Sequence, residues 1–84
     1  MLKVELERWE EIIGNFLGFR KDEQWLQVNL ASEIILFFPV SGLEAKIIEE
    51  RLREVEAGKL VSILRTDLVE KPIIVGMPKE EDKQ

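Results

Sequence analysis

The chain contains no cysteine and no histidine among its 84 residues. Without cysteine there is no disulfide, no thiolate metal ligand and no thiol nucleophile. Without histidine the commonest general base and the commonest transition-metal ligand are missing. Zinc, copper and haem sites need ligands that this chain lacks, and only an oxygen-ligand site for magnesium or calcium stays open. No cofactor and no metal site is therefore assigned. Ser32, Ser41 and Ser62 have no histidine to activate them, and no G-x-S-x-G motif surrounds them. With 17 acidic residues, some pair of neighbouring carboxylates is inevitable, so a pair alone does not mark glycoside chemistry. No catalytic residue is assigned, and the sequence leans away from an enzyme without deciding the matter.

Long apolar runs are also missing. None approaches the ~18 residues of a membrane-spanning helix. The opening MLKVELERWE is charged and amphipathic, with no apolar core of a signal peptide. Neither Asn15 nor Asn29 lies in a glycosylation sequon. A cytoplasmic location away from membranes is expected. A basic cluster is absent too: 12 basic residues are scattered among 17 acidic ones, for a net charge of −5. A phosphate backbone is bound by clustered Lys and Arg, so this distribution argues against nucleic acid as a partner.

Charge of both signs is plentiful. Charged residues make up 35% of the chain, against a usual ~25%. With no cysteine and few methionines, this resembles the composition of heat-adapted proteins. The length predicts one small domain over residues 1–78, followed by a solvated tail at 79–84. A domain of this size buries roughly 60–70% of the surface its unfolded chain exposes, so each apolar side chain left in water matters.

Leu2, Leu6, Trp9, Ile13 and Phe16 are spaced 4, 3, 4, 3, which predicts an amphipathic helix ending near Gly18. WLQVNL at 25–30 alternates and predicts a strand. EIILFF at 33–38 is apolar on both faces, as in a strand at the centre of a sheet. Leu43, Ile47, Ile48, Leu52 and Val55 predict a second helix over 42–57, with Gly58 at its C-terminal turn. LVSILR at 60–65 and PIIVGM at 72–77 predict two further strands. The expected fold is α+β in the order α-β-β-α-β-β. Its four-stranded, mainly antiparallel sheet would carry both helices on one face, or alternatively one helix on each.

The stretch IILFFPVSGLE at 34–44 runs from a strand through a glycine into a helix. It has neither the P-loop spacing nor the dinucleotide fingerprint. Ser41 and Glu44 do match the S-x-x-E capping box, so they are assigned as a structural helix cap. Asp67 and Glu70, in the segment 66–71, could share a hard cation, but their spacing resembles no calcium loop.

Trp25 points away from Leu26, Val28 and Leu30. Alternation sets it on one sheet face with Ile35 and Phe37, and with Leu64 and Ile74. If both helices cover the other face, this one is left open and apolar. The expectation is a small non-catalytic interaction module, self-associating as a homodimer or binding a protein partner through Trp25, Ile35, Phe37, Leu64 and Ile74. The alternative is a regulatory domain holding a small molecule at this face or between subunits.

Overall fold

Ile12, Ile13, Phe16 and Phe19 crowd into a stretch that also holds Gly14 and Gly18. β-branched and aromatic residues favour a pleated surface, and each glycine would cost a helix about 1 kcal/mol. In the structure, a computed structural model that describes residues 2–78, this stretch is a strand. The tail expected at 79–84 lies outside the described residues.

The elements in chain order are β1 (Leu2–Val4), β2 (Glu11–Lys21), β3 (Trp25–Leu30), β4 (Ile34–Pro39), α1 (Leu43–Leu52), β5 (Leu60–Arg65) and β6 (Ile73–Gly76). They form one six-stranded sheet in the order β1-β4-β3-β2-β5-β6. β1 runs parallel to β4, and every other neighbouring pair is antiparallel.

This corrects the expected fold. Among the described residues there is one helix rather than two, and six strands rather than four, so neither expected arrangement of two helices is present. The 4-3-4-3 stripe is divided between β1, a connection and β2. Leu6 and Phe16 reach the core, whereas Leu2, Trp9 and Ile13 are exposed. Trp9 adopts a left-handed backbone (φ 64°) that no helix contains. The two glycines are explained by the sheet. A Cβ on Gly14 would meet the Leu30 side chain at 3.4 Å, so the strand packs closely over Leu30. Gly18 has φ +143° and sits at a register shift between Phe16 and Gly18, where β2 bulges.

β2 is the hub of the sheet. Glu11–Asn15 pair with β5, and Phe16–Lys21 pair with β3. The bulge moves the core-facing set of β2 from Ile12, Gly14 and Phe16 to Phe19 and Lys21. Lys21 accordingly reaches the helix side, where its Nζ lies 2.9 Å from Glu49 Oε2.

α1 covers one sheet face, burying Ala45, Ile48 and Leu52. Opposite them lie Leu26, Val28 and Leu30 of β3, Leu36 and Phe38 of β4, Val61 and Ile63 of β5, and Ile73 and Val75 of β6. Truncating any one of these large side chains to alanine is expected to cost about 2–5 kcal/mol. No helix among the described residues is long and apolar enough to cross a membrane.

The expected helix cap is also corrected. The N-cap residue is Gly42, with no side-chain cap bond, and Ser41 precedes it. The Gly42 N–H donates to the Pro39 carbonyl, closing a turn that starts the helix one residue after the capping-box position. Glu44 instead pairs with Arg65, whose Nε lies 3.2 Å from its Oε2. The helix is also shorter than the expected 42–57. After Leu52 the Val55 N–H returns to the Leu52 carbonyl, and Gly58 donates to Phe16 of β2.

Candidate interaction face

The site is the sheet face that α1 leaves uncovered. Its membership follows from register. Leu26 pairs with Phe38, Val28 with Leu36 and Leu30 with Ile34, and these rows face the core. The intervening rows therefore face the other way. They place Trp25 beside Pro39, Gln27 beside Phe37, and Asn29 beside Ile35. Two rows extend across the sheet: Arg20–Gln27–Phe37, and Gly18–Asn29–Ile35–Lys3. Beyond β2, Glu11 pairs with Leu64 and Leu64 with Ile74, while Ile13 pairs with Ser62 and Ser62 with Gly76.

All five residues expected at an interface lie on this face, in two groups. Trp25, Ile35 and Phe37 sit on β3 and β4; Leu64 and Ile74 sit on β5 and β6, with β2 between the groups. Trp25 and Phe37 meet edge to face with centroids 6.1 Å apart. Trp25 stays 41% exposed and Ile74 39%, while Ile35, Phe37 and Leu64 are partly buried. Sequence reasoning assigned Ile13 to a helix and left Leu17 out of its apolar stripe; they are 53% and 52% exposed. The alternation that carries Ile13 is visible in 11–16, but the bulge hides its continuation.

Trp25 is positioned by the β2–β3 turn. One Asp22 carboxylate oxygen accepts from the backbone N–H of Gln24 at 2.7 Å and of Trp25 at 2.8 Å. These bonds, first from Trp25 and then from Gln24, hold the Asp22 carboxyl below its usual range, with a smaller contribution from the Arg20 charge. At the outer strand, Lys3 Nζ lies 5.1 Å from the Phe37 ring centroid, within reach of a cation–π contact.

The polar side chains of the face include Lys3, Glu5, Arg20, Gln27, Asn29, Asn15, Ser62 and Glu11. The face is open at Gly18, since nothing lies within 4 Å of where its Cβ would be. A shallow trough passes Gly18 between Lys3 and Arg20, with Gln27, Asn29 and Phe37 along it. Its lining contains no carboxylate.

The segment 66–72 is closed by Thr66, which is buried. Its hydroxyl donates to the Lys71 carbonyl at 2.6 Å and accepts from the Leu68 N–H at 3.0 Å, and its own N–H donates to Pro72. Leu68 and Val69 project from this loop into solvent. Asp67 and Glu70 are exposed there, and no group of three acidic residues placed to hold a metal ion occurs among the described residues.

No family model, curated protein or solved structure matches the chain.

Proposed function

We propose that the chain is a non-catalytic interaction module that self-associates through the uncovered face of its sheet. The observation that carries this reading is the exposure of Ile13, Leu17, Trp25 and Ile74 on one face that no helix covers. Isolated apolar side chains on a surface are ordinary; here they gather in two groups, Trp25 with Phe37 on β3 and β4 and Leu64 with Ile74 on β5 and β6, with Ile13 and Leu17 of β2 between them.

The sheet edges support contact through the face rather than by strand addition. At one edge β6 is four residues long and is flanked by Pro72 and Pro78. The Arg51 guanidinium, from α1, donates to the Val75 carbonyl on that strand at 3.1 Å. At the other edge β1 has only three residues. Short strands, flanking prolines and a capped carbonyl all blunt an edge against pairing with another chain. A two-fold contact would set the apolar face against itself and remove it from water.

Size-exclusion chromatography with light scattering at micromolar concentration tests this. The expected mass exceeds one chain, and Phe37→Glu and Ile74→Glu each shift it toward one chain. A wild-type protein that stays monomeric at about 100 µM, well above the concentrations at which specific dimers form, refutes the reading.

A further inference from the structure

Two turns meet at one end of β5, and both hold apolar side chains out of the fold. The first spans residues 7–10 and is closed by the Glu10 N–H on the Glu7 carbonyl at 3.0 Å. Trp9 is its third residue and the only one in it with positive φ, at 64°, as in a type II turn. That position is ordinarily glycine. The same residue also opens a β-bulge. Its N–H donates to the Arg65 carbonyl, and the Arg65 N–H donates to the Glu10 carbonyl, so Trp9 and Glu10 together oppose Arg65. The left-handed first residue of such a bulge is again ordinarily glycine. Two features of the backbone thus favour glycine where the chain has tryptophan, which is strained there. Trp9 is 56% exposed, so burial in the core does not offset that strain.

The second turn is the loop 66–72, which leaves the same end of β5. The Thr66 hydroxyl fixes it through the Lys71 carbonyl and the Leu68 N–H. It holds out Leu68, 47% exposed, and Val69, 88% exposed. Because hydrogen bonds set both turns, little ordering cost is left for a partner to meet. The charge around them has one dominant sign. The exposed charged side chains of the two turns are Glu7, Arg8, Glu10, Asp67, Glu70 and Lys71, four carboxylates against two cations. Arg65, between the turns, is already engaged by Glu44 and by the Leu6 carbonyl.

We propose that Trp9, Leu68 and Val69 are the apolar centre of a docking surface for a different protein, one presenting an apolar stripe flanked by Lys and Arg. A basic amphipathic helix is the simplest such surface. The carboxylates then form a complementary rim, and Trp9 is the anchor, in keeping with the weight that tryptophan carries in interfaces. A second copy of this chain is disfavoured here, because it would set one carboxylate-rich corner against another. An anionic lipid surface is disfavoured by the same charge. The corner is separate from the sheet face proposed for self-association, so either reading stands without the other.

The probe is a fluorescein-labelled helical peptide of leucine and lysine, with its leucines on one face. It is titrated with the full chain in about 0.15 M salt and followed by anisotropy. Binding should saturate at one peptide per chain. Trp9→Gly and Val69→Ser should each weaken it by roughly tenfold or more. Glycine suits both the turn and the bulge, so Trp9→Gly should melt at or above the wild-type temperature, and its lost affinity is then not a loss of fold. Glu7→Lys/Glu70→Lys should also weaken binding. Glu54→Lys/Glu56→Lys makes the same charge change ahead of β5, at its other end, and should leave affinity within about twofold. No saturable binding by wild type, or equal weakening by the two lysine pairs, overturns the proposal. Binding to phosphatidylcholine vesicles that Trp9→Gly abolishes would assign the corner to a lipid surface. A dimer that Trp9→Gly dissociates would assign it to the self-contact. Either result overturns the proposal as well.

Discussion

Replacing Trp25 with alanine should separate the two roles of that ring. The indole is 41% exposed, so of the ~250 Å² that a large aromatic can bury, about 100 Å² is left in water. At ~25 cal/mol per Å², covering that area contributes about 2.5 kcal/mol per copy. A two-fold contact buries it twice, so the dimer should lose up to about 5 kcal/mol, more than a thousandfold in dissociation constant. Within one copy the loss is different in kind. The edge-to-face contact with Phe37 at 6.1 Å contributes about 0.5–1.5 kcal/mol beyond area burial. Urea melts of dilute, monomeric protein should show that loss together with the cost of removing the buried part of the ring. The dissociation constant comes from light scattering over a dilution series reaching well below the wild-type value. A dimer that keeps its affinity while the monomer melts earlier would show that Trp25 serves its own fold only and lies outside the contact.

Three further outcomes follow from local geometry. Ser32 and Glu33 both adopt left-handed backbone (φ 70° and 62°) in the β3–β4 turn. Asn tolerates a left-handed backbone better than Ser, so Ser32→Asn should raise stability by about 0.5 kcal/mol in urea melts; a loss would mean that strain at this position is not what limits the turn. Ser41 makes no cap bond, so Ser41→Ala should change stability by less than about 0.5 kcal/mol, whereas Gly42→Asp at the true N-cap should raise it by a few tenths. A Ser41→Ala loss above about 1 kcal/mol in thermal melts would restore the capping box. Asp22 is held below its ordinary carboxylate range in the folded state, so its contribution is present above the unfolded pKa and lost as pH falls through the lower folded one. Asp22→Asn should flatten that acid limb in melts between about pH 6 and pH 2, and an unchanged limb would remove Asp22 as its source.

Much of the sheet was legible because its strands obey one period each. In β3, Leu26, Val28 and Leu30 alternate cleanly with Trp25, Gln27 and Asn29, and the burial follows the same rhythm. β4, β5 and β6 lie within a residue of the expected spans, because short β-branched runs between turns leave few other readings. The first twenty residues were not legible by period. Leu6 is buried from a connection, Trp9 occupies a left-handed turn, and the bulge resets the alternation after Phe16. Together they produced a false helical stripe. The glycines at 14 and 18 and the density of Ile and Phe were the contrary signal, and they outweigh the spacing. Ser41 failed for a different reason. A capping box can be recognised from four residues, but the Gly42–Pro39 turn and the Glu44–Arg65 pair depend on the fold around them.

The missing first helix changes the case for an interaction face without removing it. Two helices on one sheet face, as the sequence leads one to expect, would leave Trp25, Ile35 and Phe37 uncovered on the other. With one helix, less cover is available, and the stripe meant for the other helix is divided between both faces by β2. Of that stripe Phe16 goes to the core, while Ile13 joins the uncovered side, where Leu17 of the same strand is also exposed. The uncovered face thus gains apolar residues from the very segment that was expected to lie over the opposite one. Which residues share that face depends only on strand parity and register, so the grouping of Trp25, Ile35 and Phe37, and of Leu64 and Ile74, does not require the first helix. What the helix would have concealed is the length of β2, whose eleven residues pair first with β5 and then, past the bulge, with β3.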